Sequence, residues 1–98
     1  MTAYDAQLQI EGEDTQPLPV VVDLTDNRLT MTVGTEEVAA WNREEMRIAA
    51  LPDGFHIRAE GEAIILDVTE DARFALELGL KNAHPALRRR MAALLRDE

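Results

Sequence analysis

Pro52-Asp53-Gly54-Phe55-His56-Ile57-Arg58-Ala59-Glu60-Gly61-Glu62-Ala63-Ile64-Ile65-Leu66-Asp67-Val68-Thr69-Glu70-Asp71-Ala72-Arg73-Phe74-Ala75-Leu76-Glu77-Leu78-Gly79-Leu80 carries a two-residue hydrophobic period that gives way to one of about 3.6 residues. That change of period decides the fold. Pro52 presets the first dihedral of a turn and Gly54 supplies the positive φ that ends it. Phe55, Ile57 and Ala59 then alternate with His56, Arg58 and Glu60, as in a strand with one buried face. After a turn at Glu60-Gly61-Glu62, Ile64, Leu66 and Val68 point one way while Ala63, Ile65 and Asp67 point the other. This second strand is apolar on nearly both faces, which predicts a central position or cover from the helix. Thr69 is the expected N-cap, with Glu70 and Asp71 favoured by the helix dipole. Phe74 and Leu78 share one helical face, Gly79 suits a left-handed terminator, and Leu80 is expected to fold back toward Phe74.

Working back toward the N-terminus, the same alternation recurs. Met46, Ile48 and Ala50 mark a strand before the Pro52 turn, and Glu37 to Asn42 mark another. Residues 36 to 50 also suit a helix in part, with Asn42-Arg43-Glu44-Glu45 as one turn of it. Leu29, Met31 and Val33 alternate with Arg28, Thr30 and Thr32. Leu18 to Leu24 forms a valine-rich strand, with a hairpin turn at Thr25-Asp26-Asn27 between the two. Tyr4, Ala6, Leu8 and Ile10 alternate with polar residues as a first strand. Beyond Leu80, His84 is placed as an N-cap and Pro85 as the first residue of a second helix. Leu87, Met91, Leu94 and Leu95 fall on one face of it, surrounded by Arg88, Arg89, Arg90 and Arg96.

Ninety-eight residues support one domain with a single core, burying roughly 60–65% of the unfolded surface. The chain has no cysteine and no serine. Disulfides, thiolate metal sites and serine nucleophiles are therefore excluded. Residues 1–80 hold seventeen acidic and five basic side chains, whereas residues 81–98 hold two and five. An acidic body disfavours nucleic acid, membranes and anionic lipid headgroups as partners. The N-terminus lacks the basic start and apolar run of a signal peptide, and no apolar run approaches ~20 residues, so a soluble cytoplasmic protein is expected.

Seven short strands closed by a helix resemble the pleckstrin-homology-like (PH-like) superfamily, the match resting on Phe55 to Leu66 feeding Thr69 to Leu78. The resemblance implies a mainly β (α+β) fold, a seven-stranded antiparallel split barrel of two orthogonal sheets capped by a C-terminal helix. It assigns residues 1–80 to the barrel and capping helix and leaves 81–98 as a basic amphipathic helical extension. Two departures matter. Phosphoinositide-binding members cluster Lys and Arg about the first two strands, where this chain has Glu11, Glu13 and Asp14. Many members also carry a tryptophan in the closing helix, whereas here the single tryptophan is Trp41. A binding or scaffold module is implied, and a lipid-headgroup ligand is not.

For chemistry, the only acid-base candidates are His56 with Glu60 or Glu62, set against a solvated strand face. The acidic clusters lack the glycine and ligand spacing of a calcium loop. No cofactor or metal is expected. Trp41 reads either as core or as an anchor for a partner. Leu87, Met91, Leu94 and Leu95, with Arg88 and Arg89, read either as packing on their own barrel or as an interaction surface. The expected function is a non-enzymatic module that binds a protein or peptide, including another copy of itself. The alternatives are an acidic, nucleic-acid-mimicking inhibitor of a basic protein, and a small enzyme or metal-binding protein using surface carboxylates.

Overall fold

Nine residues of unbroken strand, Thr2–Ile10 (β1), join the two halves of the molecule. In this computed structural model, which describes residues 2–14, 16–25, 27–79 and 84–96, β1 pairs on one side with Leu18–Leu24 (β2) and on the other with Glu62–Val68 (β7). Thr2 to Leu8 face β2, while Ala6 to Ile10 face β7. Arg28–Val33 (β3) and Glu36–Asn42 (β4) extend the first half, and Gly54–Ala59 (β6) and Arg47–Leu51 (β5) extend the second. The resulting order, β4-β3-β2-β1-β7-β6-β5, is antiparallel throughout and curls into a half-barrel. Two helices follow, Asp71–Leu78 (α1) and Pro85–Arg96 (α2). The expected mainly β architecture is thus present.

Alternation in the sequence becomes a lining of the concave face. Val22, Leu24, Leu29, Ile57 and Leu66 are fully enclosed there, and α1 covers them with Ala72, Phe74, Ala75 and Leu78. Phe74 inserts between Tyr4 and Phe55, meeting both edge-on at centroid distances of 5.1 and 4.9 Å. Such aromatic pairs contribute about 0.5–1.5 kcal/mol each beyond the area they bury. Arg43, in the 3-10 turn Arg43–Glu45 after β4, donates from Nη2 to the Leu78 carbonyl. A cation there complements the negative end of the helix dipole and ties the β4–β5 connection to α1.

One expectation of secondary structure changes, at the start of α1. The stretch from 36 to 50 is strand, turn, strand, with the helical alternative confined to those three 3-10 residues. Helix α1 begins later than predicted: the N-cap is Glu70, because the Thr69 amide donates to the Asp5 carbonyl and so remains part of the β7–β1 pairing. Its end is as predicted, with Gly79 left-handed (φ 73°) and its amide donating to the carbonyls of Ala75 and Leu76. The fold-back of Leu80 lies outside the described residues. His84 does cap α2, its Nδ1 accepting from the Leu87 amide at 3.3 Å. Among the described residues, no helix is long and apolar enough to cross a membrane.

Tyr4, the single tyrosine, is buried and donates its hydroxyl to Glu77 Oε1 at 2.5 Å. Burial, then the hydrogen bond to Glu77 and the charge of that carboxylate, push the phenol well above its ordinary value. Since the folded state holds its proton where the unfolded chain has lost it, stability from this group is intact below about pH 10 and falls as pH rises beyond. An alkaline titration is therefore expected to show no phenolate absorbance near pH 10 in the folded protein, its rise coinciding instead with loss of circular dichroism. Tyr4→Phe should make the alkaline decline shallower; phenolate appearing early, with the fold intact, would contradict the burial argument.

Candidate interaction site

Helix α1 covers the part of the concave face around Tyr4 and leaves the other end of β1 without a lid. There Leu8, Ile10, Met31, Trp41 and Ile64 line a groove of about 470 Å3, with Val38 and Ala39 on one wall and Gly61 to Ala63 on another. Trp41 and Ile64 are almost fully enclosed and belong to the core, whereas Ile10 is 48% exposed and Val38 49% exposed. Leu18, opposite Leu8 across the β1–β2 ladder, is also exposed. A bulge shapes this mouth. Met31 pairs with Ala39 but Thr32 with Glu37, so Val38 is the extra residue on β4 and bends the strand locally.

Acidic groups border the groove. Glu62 lies on its wall, and Glu11 follows β1 with its amide bonded to the Ala63 carbonyl. The Glu11 carboxylate sits between two surroundings: Oε1 is 3.8 Å from Arg58 Nη2 and 4.0 Å from His56 Nδ1, while Oε2 is enclosed with no hydrogen-bond partner among the described residues. An enclosed carboxylate oxygen without a donor is costly, and the nearby Arg58 and His56 offset part of that cost electrostatically.

His56 is not organised around Glu60 or Glu62. Its Nε2 contacts Asp53 Oδ1 at 2.7 Å across the Pro52-Asp53 turn, and this hydrogen bond is the main reason the Asp53 carboxyl lies below the ordinary carboxylate range. The ring is partly covered, so neither a fully solvated strand face nor a His–Glu60 pair describes it. Among the described residues, no group of three or more His, Asp or Glu side chains is arranged to hold a metal ion.

The structure distributes the other candidate residues unequally. Leu87 and Trp41, each read as a partner anchor or as core, are buried in this chain's own core, and Met91 and Leu94 pack against it. Helix α2 therefore lies on the body. Arg90 holds it there through Asp71, with Nη2 to Oδ2 at 2.6 Å and Nε to Oδ1 at 3.3 Å. Arg88, Arg89 and Leu95 remain exposed. Sequence reasoning missed the groove itself, the roles of Arg43 and Asp53, and the enclosed oxygen of Glu11. Only Asp53 had a local signal, its three-residue spacing from His56 across a turn.

No protein-family model matches this chain, and no curated protein or solved structure matches it either.

Proposed function

We propose that this chain is a non-enzymatic protein- or peptide-binding module of PH-like architecture, whose open mouth receives an apolar side chain flanked by basic residues. The strand order and the helix after β7 support the architectural part of this reading. What carries the functional part is the groove: an apolar floor of Met31, Trp41 and Ile64, exposed rims at Ile10 and Val38, and the acidic residues Glu11 and Glu62 in its lining. Concave, mostly apolar sites of roughly 300–1,000 Å3 with a few polar groups are typical of ligand recognition. Here the polar groups are carboxylates, on a chain of net charge −9, which favours Lys or Arg beside the anchor.

Trp41, the single tryptophan, reports on this floor. Titration with a short peptide carrying a central leucine between lysines is expected to shift Trp41 emission saturably. The same peptide with glutamates in place of lysines should bind at least about tenfold more weakly, the loss of one favourable charge contact or more. Val38→Asp should abolish the response without unfolding the protein, because Val38 is exposed. No saturable shift with either peptide, or equal affinity for both, would reject the reading.

A further inference from the structure

The seven-stranded sheet has two edges, and they are built differently. Edge strand β4 carries the Val38 bulge and begins with Glu36 and Glu37, features that discourage strand addition. Edge strand β5 has no bulge and carries a single charge, Arg47, at its start. Arg47 to Leu51 pair residue for residue with Arg58 to Gly54 without a register shift, and among the described residues β5 has no strand on its other side. Beside it Arg47, Ala49 and Leu51 share one face with His56 and Arg58 of β6, and these residues line a shallow groove of about 370 Å3 that reaches Glu11.

We infer that β5 pairs antiparallel with β5 of a second copy of this chain, with Ala49 on the two-fold axis. In that register Arg47 opposes Leu51 of the partner subunit and Ile48 opposes the partner's Ala50, so no like charges face each other. Leu51 is 43% exposed and gains cover from the aliphatic stem of Arg47. The guanidinium reaches the diagonal position, where the partner's Asp53 supplies the opposite charge. Within one chain Arg47 stands opposite Arg58, whose charge Glu11 meets at 3.8 Å, and the partner's Asp53 would give Arg47 a counter-charge of its own. The register is bounded on one side. Pro52 has no amide hydrogen to donate, so the ladder stops at Leu51 rather than running into the turn. Pairing of this kind closes after two copies, because an edge used by its own symmetry mate offers no further strand. It leaves the mouth at Ile10 and Val38 free and does not depend on that site.

The absence of cysteine makes the register directly testable. Ala49→Cys, Leu51→Cys and Val38→Cys are placed singly in the full chain and exposed to mild oxidant, and the molar mass of the unmodified protein is measured over a wide concentration range. Two side chains at position 49 meet across the axis, whereas two at position 51 lie four residues out of register, about 13 Å apart. The expected result is a monomer–dimer equilibrium, with Ala49→Cys cross-linking on the order of tenfold faster than either other variant. Arg47→Glu should weaken the dimer, and adding Asp53→Arg should restore it. A monomeric mass at every concentration with equally slow cross-linking at all three positions would overturn the inference. Preferential cross-linking at position 38 would do the same, by assigning association to β4.

Discussion

Replacing Phe74 with alanine is expected to cost about 3–5 kcal/mol of folding stability, the range for emptying a buried aromatic site. Small domains are stable by only about 5–15 kcal/mol in total, so this one change removes a large share. The expectation is specific to the packing of this helix. Phe74 is fully enclosed and is the α1 side chain that contacts both Tyr4 of β1 and Phe55 of β6, so its removal separates the helix from both halves of the sheet. Among the described residues, what remains to hold α1 includes Ala72, Ala75 and Leu78 in the core, the Tyr4–Glu77 hydrogen bond, the Arg43 contact at its C-terminus and the Arg90–Asp71 pair to α2, of which the last is partly exposed. Exposed ion pairs contribute at most about 1 kcal/mol each. Urea unfolding followed by Trp41 fluorescence and by circular dichroism reads the loss, and Phe74→Leu, which keeps most of the volume, should cost less than half as much. A loss below about 1.5 kcal/mol for Phe74→Ala would show that the sheet closes without this helix.

Phe74 was visible in the sequence because its role follows from local signals: four-residue spacing to Leu78, a glycine after it and acids before it. The strands were legible for the same reason. Leu18 to Leu24 and Arg28 to Val33 are bounded by turn residues; alternation fixes the inward side chains of the second, whereas the run Val20-Val21-Val22 in the first marks a strand without saying which valines face inward. The boundary at Thr69 was not, since a hydroxyl suited to capping says nothing about an amide already bonded to Asp5, sixty-four residues earlier. The candidate site was less legible still. It depends on β1, β3, β4 and β7 meeting, a question of register between residues as distant as Leu8 and Ile64. The Val38 bulge cannot be read from alternation, because Val38 and Ala40 look like an ordinary same-face pair. In contrast, the amphipathic pattern of α2 is plain in the sequence and leaves two destinations open. Leu87, Met91 and Leu94 turn to the body, and Leu95 does not. A stripe tells which face is apolar, not what covers it.

Gly54→Ala is expected to destabilise the fold by about 2–4 kcal/mol, more than any other single-methyl addition at a glycine of this chain. Two separate demands meet at this position. Its φ of +136° lies where side chains are rarely accommodated, and a Cβ placed there would stand 2.7 Å from the Leu66 carbonyl oxygen and 3.2 Å from Ile65 Cγ2. The obstructing oxygen is backbone of β7, next to the Phe55–Leu66 pair that helps to seat Phe74, so relief requires moving the ladder rather than rotating a side chain. Gly79→Ala separates the two demands. Position 79 is left-handed (φ +73°) but a Cβ there meets nothing within 4 Å, so it carries only the dihedral cost, about 1 kcal/mol. Measured side by side by chemical denaturation, the two variants should differ by at least about 1 kcal/mol, the excess at position 54 being the contact with β7. Equal losses would mean that β6 and β7 approach less closely than the geometry requires. The hairpin that positions His56, Asp53 and the β5 edge would then have slack where tight backbone contact is expected, and the fixed register invoked for β5 would lose its support.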